Sequence, residues 1–173
     1  MSHLYSREAQ LVELGKLKQH EEADSSHLKE LTEEIKSDNM LKFAIVVDKN
    51  TNVILDGEHR FNALKELGCR YIPVVYVNYN SPDIKVQSWR KNPHLTKKGV
   101  IEAGLSEKKF PPKTSKHIIR IGDELTHISA IERRVDVPLD SLISEIELTD
   151  MRNVRPTMHT DLREVLPLYA RFL

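Results

Sequence analysis

The chain has 173 residues, enough for one domain with a real core and a small appended lobe. Its 26 Lys and Arg balance 26 Asp and Glu, so the formal net charge is zero and no charge excess favours a nucleic-acid partner. The hydrophobic fraction is 39%, and no apolar run approaches the roughly 20 residues a membrane-spanning helix needs.

Residues 1 to 12 carry little pattern and no signal-peptide core, so a cytoplasmic protein is expected. Leu11, Val12, Leu14 and Leu17 then form a short apolar strand or turn that delivers His20-Glu21-Glu22 to a loop. Paired carboxylates beside a histidine are either solvated surface or the makings of a general base or a divalent-cation ligand. Ser25 or Ser26 is placed to cap the next helix, where Leu28, Leu31 and Ile35 share one face and Glu30, Glu33, Glu34 and Lys36 the other. Phe43 to Val47 and Thr51 to Leu55 are β-branched apolar runs joined by Asp48-Lys49-Asn50-Thr51-Asn52, which predicts a hairpin.

The second strand feeds into Asp56-Gly57-Glu58-His59-Arg60, after which Phe61, Leu64 and Leu67 recur at helical spacing over 60 to 67, up to Gly68. Asp-Gly before a helix is an ordinary capped turn. A glycine followed by donors at a helix start is also a place to hold phosphate. The first amide N–H groups lack helical partners there, the helix dipole is positive, and His59 and Arg60 add side-chain donors. Cys69 follows just after the Gly68 cap, where a buried structural thiol is expected over a reactive one, and a single cysteine excludes both an internal disulfide and a cysteine-based metal cluster. Ile72 to Val77 is a continuous apolar strand, so helix, strand, strand, helix, strand describe a small mixed α/β unit.

Asn78 to Asp83 is a loop, and the only tryptophan, Trp89, follows Val86. Thr96 to Leu105 reads as a helix with Gly104 as a break near its end, and the paired prolines after Phe110 force a loop. Lys113-Thr114-Ser115-Lys116-His117 gathers two hydroxyls, two cations and an imidazole, either as a solvated basic loop or as a grip for an anion. Ile118 to Ile121 is a strand, Val135 to Leu142 contains Pro138 and a capping Asp140-Ser141, and 161 to 172 is a short terminal helix interrupted by Pro167.

The wording Asp56-Gly57-Glu58-His59-Arg60, then Ala63, Leu64, Gly68 and the strand Ile72 to Val77, resembles the signature of the ParB/sulfiredoxin superfamily. There the Gly-x-[His/Arg]-Arg turn cradles nucleotide phosphates. The order of four pieces resembles, within that fold, the free L-serine kinases: Gln19-His20-Glu21, Asp56 to Arg60, Val86-Gln87-Ser88-Trp89, and Pro112-Lys113-Thr114-Ser115-Lys116-His117. The family counterparts are Pro-His-Glu, Asp-Gly-His-His-Arg, a tryptophan after the next strand, and Pro-Lys-Thr-Thr-Arg-His. Glu58 replaces the first histidine of the kinase turn and matches the Gly-Glu-Arg-Arg wording of ParB proteins; Lys116 replaces an arginine, which keeps charge but weakens bidentate binding. Glu58 in place of the cysteine in the Gly-Cys-His-Arg turn sets sulfiredoxin itself aside. A partitioning ParB is disfavoured because a neutral chain of this length has little room for DNA-binding and dimerisation regions.

The resemblance implies an α/β (α+β) fold, a small mixed sheet with helices, with residues 1–142 a nucleotide-binding catalytic domain and 143–173 a C-terminal extension. It implies phosphoryl transfer from ATP or ADP to the hydroxyl of free L-serine, with a small-molecule substrate as partner. Glu21 is the expected general base with Glu22 the fallback, and Asp56 a second catalytic residue. Gly57, Glu58, His59 and Arg60 would hold the donor, and Asp56 with Glu58 would orient Mg²⁺. Trp89, Lys113, Thr114, Ser115, Lys116 and His117 would recognise the amino acid. The alternative is a ParB-like nucleotide-binding regulator without kinase activity that switches a DNA or protein partner; a third reading is a small adaptor with a degenerate site.

Overall fold

The structure is a computed structural model and describes residues 4–91 and 94–143. The core is a four-stranded sheet of β1 (Gln10–Glu13), β3 (Ile45–Asp48), β4 (Ile54–Asp56) and β5 (Tyr71–Val77), ordered β1-β5-β3-β4. β5 lies parallel to β3 and antiparallel to β1, while β3 and β4 form the predicted hairpin. All of β3 and most of β5 are buried, which explains why both read as unbroken apolar runs rather than alternating ones.

The run 43 to 47 is split. Phe43 ends β2 (Met40–Phe43), which pairs with β9 (Arg134–Pro138) in a separate ribbon, and Ala44 at the junction donates its N–H to Arg133 O. A third sheet is the antiparallel meander β6 (Ile84–Ser88), β7 (Ser115–Ile121) and β8 (Glu124–His127).

Helix α1 (Ser25–Asp38) packs against α2 (Glu58–Glu66), and Leu28 and Leu31 lean on the core with Ile35 buried, as the one-sided spacing requires. The cap of α1 is Asp24 rather than Ser25 or Ser26, its carboxylate accepting from His27 N at 2.9 Å. Gly104 does not break α3 (Lys97–Leu105): it lies inside the helix, where a Cβ would come within 2.7 Å of Val53 Cγ2. It is small because α3 approaches β4's edge closely. Cys69 is buried, and burial pushes its thiol up to about 11, in keeping with a structural residue.

Among the described residues no helix is long and apolar enough to cross a membrane. The extension 143–173, Ile143 apart, and its terminal helix over 161–172 lie outside the described residues.

Candidate active site

Three backbone ties assemble the site. Ile54 N donates to Lys18 O and Lys18 N to Asn52 O, which lays the segment before His20 along the edge of β4. Glu22 N donates to Phe110 O and Phe110 N to His20 O, which brings Phe110, just before the paired prolines, to the other side of His20-Glu21. The register β6·β7 sets Ser88 opposite Ser115, and Trp89 N reaches Thr114 O at 3.0 Å. Between these segments and the start of α2 lies a cleft of about 350 Å³ lined by Glu21, Asp56 to Arg60, Trp89, Lys113, Ser115 and His117. Sequence motifs separated by up to 96 residues thus meet at one place, together with Glu22, His27 and His127.

Thr114 and Lys116 do not line it. The segment 113 to 117 is not one loop: β7 begins at Ser115, and the two-residue strand period turns Ser115 and His117 to the cleft and Lys116 to the opposite face. The Lys116 ammonium sits 4.4 Å from the Trp89 ring centroid, a cation–π contact that steadies a tryptophan otherwise 58% exposed. Thr114 is buried with its hydroxyl donating to Pro111 O at 2.7 Å, so it holds the turn rather than a ligand. His117 is buried, accepts from Tyr79 Oη at Nε2 (2.8 Å) and hydrogen-bonds the Leu55 backbone. Burial, assisted by His20, pushes it down to about 3, so it is a neutral wall.

Gly57 caps α2 at φ +107°, and Phe61 N bonds back to its carbonyl. The amides of Glu58, His59 and Arg60 form the first turn, which has no side-chain cap. His59 Nε2 accepts from Asp24 N at 3.0 Å, so its proton is on Nδ1; burial and the neighbouring His27 ring hold its pKa below the ordinary value.

Arg60 departs from the expected free donor. Nη1 donates to Ala44 O at 2.9 Å and Phe43 O at 3.3 Å, while Nη2 bridges the Asp56 and Glu132 carboxyls. It clamps α2 to the β2/β9 ribbon. Glu132 is a residue that sequence reading missed, because nothing local marks a partner 72 residues from Arg60.

Asp56 and Glu132 share a hydrogen bond that requires one proton between them. Burial opposes ionisation of Asp56, but the Glu132 hydrogen bond and the Arg60 charge hold it below the ordinary range. Burial and then that same bond push Glu132 from 4.5 up to about 8. A carboxyl raised on folding favours the folded state most below pH 4.5, and that contribution is lost as the pH rises towards about 8. Glu132→Gln, whose amide still reaches Asp56, should therefore gain stability relative to the parent as pH rises through this window. Melting temperatures of both proteins across the window test this, and a constant difference would count against the shared proton.

The two carboxylates expected to orient Mg²⁺ have protein partners: Asp56 is engaged by Arg60 and Glu132, and Glu58 is buried beside His20. What offsets Glu58 is His20, fully buried, with Nδ1 3.0 Å from Glu58 Oε1. Nδ1 points its hydrogen at Ile54 O, 2.7 Å away, so Glu58 Oε1 gains attraction without a hydrogen bond. Burial raises the Glu58 pKa, and the histidine offsets part of the rise. Burial alone would lower His20, but Glu58 first and Glu21 next hold its pKa above the ordinary value. His20 thus lies inside the site, facing Glu58 and Glu21, rather than on a solvated loop.

Glu21, about nine-tenths buried, accepts at Oε2 from Ser115 N (3.0 Å) and Ser115 Oγ (2.8 Å). The Ser115 hydroxyl, in the lining of the cleft, is therefore directed at a carboxylate. What the cleft offers is one ordered carboxylate facing a helix N-terminus, with the neutral His117 on its wall and Lys113 in its lining.

Comparison with known proteins agrees with this architecture. Residues 4–88 match the family model of the ParB N-terminal domain. An ATP-dependent L-serine kinase of Desulfurococcus mucosus is 40% identical over 83 residues, 46% of this chain and 32% of that protein. A ParB-like protein of Sulfolobus acidocaldarius is 40% identical over 75 residues, 43% of this chain and 37% of that protein. The matched stretch thus spans about a third of the length of these curated relatives. A solved free serine kinase in complex with AMP shares the fold at a TM-score of 0.62 with 15% identity, covering 78% of this chain and 93% of that one. The expected mixed α/β, ParB-like architecture is present: residues 4–88 match a ParB N-terminal domain, within a fold shared with a free serine kinase.

Proposed function

We propose that this chain is a small-molecule kinase that moves a phosphoryl group from ATP or ADP to the hydroxyl of free L-serine, giving O-phospho-L-serine, with residues 1–142 as its catalytic domain. The observation that carries the reading is Glu21: a carboxylate with one oxygen tied by two donors from Ser115, held across a cleft from the Gly57-capped start of α2. Phosphoryl transfer asks mainly for positioning and for donors aimed at phosphate oxygens. In this reading Glu21 Oε1 takes the serine hydroxyl proton as the serine oxygen attacks the terminal phosphorus, and the bond from that phosphorus to its bridging oxygen breaks to release ADP from ATP or AMP from ADP. The amides of residues 58 to 60, the His59 Nδ1–H and Lys113 receive the donor phosphates. Arg60 acts through the turn it clamps. The shared proton on Asp56 and Glu132, and the His20 charge beside Glu58, reduce the negative charge that phosphates meet. Trp89 and the neutral His117 wall contact the amino acid. The relatives named L-serine kinase support the substrate class.

The second reading, a ParB-like nucleotide-binding regulator, is favoured by the equal identity to a protein named only ParB-like. Phosphorus NMR with Mg²⁺ and either nucleotide, with and without L-serine, separates them. A phosphomonoester signal that requires serine supports the kinase, and the nucleotide consumed identifies the donor. Tight nucleotide binding with no such signal from ATP or ADP points to the regulator.

A further inference from the structure

Behind the cleft, hydrogen-bond direction can be read along an unbroken chain. Ile54 O can only accept, so His20 Nδ1 carries a hydrogen. His20 Nε2 is 2.7 Å from Ser115 Oγ, and Ser115 Oγ is 2.8 Å from Glu21 Oε2. Serine has one hydroxyl hydrogen, and two short contacts need two hydrogens. Either Nε2–H donates to Oγ and Oγ–H donates to an ionised Glu21, or a protonated Glu21 donates to Oγ and Oγ–H donates to a neutral ring.

The surroundings select the first. Facing the ring are Glu58 at 3.0 Å, Glu21 at 3.7 Å, the Ile54 carbonyl, the Ser115 hydroxyl and the neutral His117 ring at 5.8 Å between centroids. Two carboxylates and a carbonyl favour an imidazolium there. Glu21 Oε2 already receives Ser115 N–H, which a carboxylate accepts better than a carboxylic acid does.

We propose that Ser115 and His20 are positioning residues for Glu21: His20, protonated on both nitrogens, fixes the Ser115 hydroxyl hydrogen on Glu21 Oε2, leaving Oε1 ionised and aimed at the incoming hydroxyl. This rests on the kinase reading for what Oε1 does, and on bond geometry alone for the direction of the chain. The Ser115 methyl-bearing homologue keeps both bonds, whereas alanine removes the middle link and leaves a buried Nε2–H without an acceptor.

Two measurements on the full chain test it. Long-range proton–nitrogen NMR of the wild-type protein at neutral pH should find one buried histidine ring with both nitrogens protonated; a His20 Nε2 without a hydrogen overturns the proposal whatever the activity. In serine-dependent turnover, Ser115→Ala should lower kcat about 10²-fold, the scale of a misplaced reacting group, with the nucleotide KM changed by less than about twofold. Ser115→Thr should restore kcat. A wild-type kcat in Ser115→Ala, or failure of threonine to rescue a folded protein, overturns the positioning role. A doubly protonated ring in a protein that transfers nothing to serine upholds the bonding and overturns the kinase reading.

Discussion

Glu21→Gln is expected to fold normally, bind nucleotide within about twofold of the parent, and lose serine-dependent turnover by about 10²- to 10⁴-fold, the usual worth of a positioned general base. Glutamine keeps the shape of the side chain, and its carbonyl oxygen can still accept from Ser115 N and Oγ, so the local hydrogen bonds that order residue 21 survive. What it lacks is an oxygen able to take a proton. In the proposed kinase the nucleotide phosphates meet the other wall of the cleft, so their affinity would read the turn at 57 to 60 rather than residue 21. Calorimetry with ADP and phosphorus NMR with serine measure the two separately. Full-speed turnover by Glu21→Gln would remove the mechanism, and turnover lost only on Glu22→Gln would transfer the base to Glu22, which also lines the cleft.

Much of this site was legible because its decisive pieces are local. The Asp56-Gly57 turn announces itself by glycine at the join of an apolar strand and a helical repeat, and the structure starts α2 two residues earlier than the apolar spacing alone, at Glu58. Glu21 and Trp89 were reachable through the order of short motifs. What stayed hidden depends on long-range pairing. The start of β7 at Ser115 is masked by the prolines before it, so the alternation that separates Ser115 and His117 from Lys116 could not be read without β6 as partner. The roles of His20 and Glu132 come from contacts spanning 95 and 72 residues, and a side chain's protonation follows from burial that no local pattern encodes. The partners of Asp56 and Glu58 were hidden for the same reason: the turn sends one carboxylate to Arg60 and the other to His20.

The turn itself gives the largest expected effect on stability. Gly57 sits at φ +107°, and a Cβ built there would lie 2.3 Å from Ile45 Cγ2 and 2.8 Å from Ile45 Cβ. Ile45 is fully buried in β3, between β4 and β5, so it has nowhere to retreat. Gly57→Ala therefore combines a left-handed backbone, costing about 1–2 kcal/mol for a residue with a Cβ, with overpacking of about 1–3 kcal/mol. A loss of roughly 2–5 kcal/mol corresponds to a fall in Tm on the order of 5–15 °C for a domain of this size.

Gly68→Ala isolates the backbone part, because Gly68 has φ +78° but nothing within 4 Å of an added Cβ. Thermal melts of the two variants should differ, with Gly57→Ala the less stable by about the overpacking share. Equal melting temperatures would mean that the contact with Ile45 relaxes freely. In that case the amides of residues 58 to 60 would not be held by β3, and the turn would have to be organised by the Arg60 clamp alone.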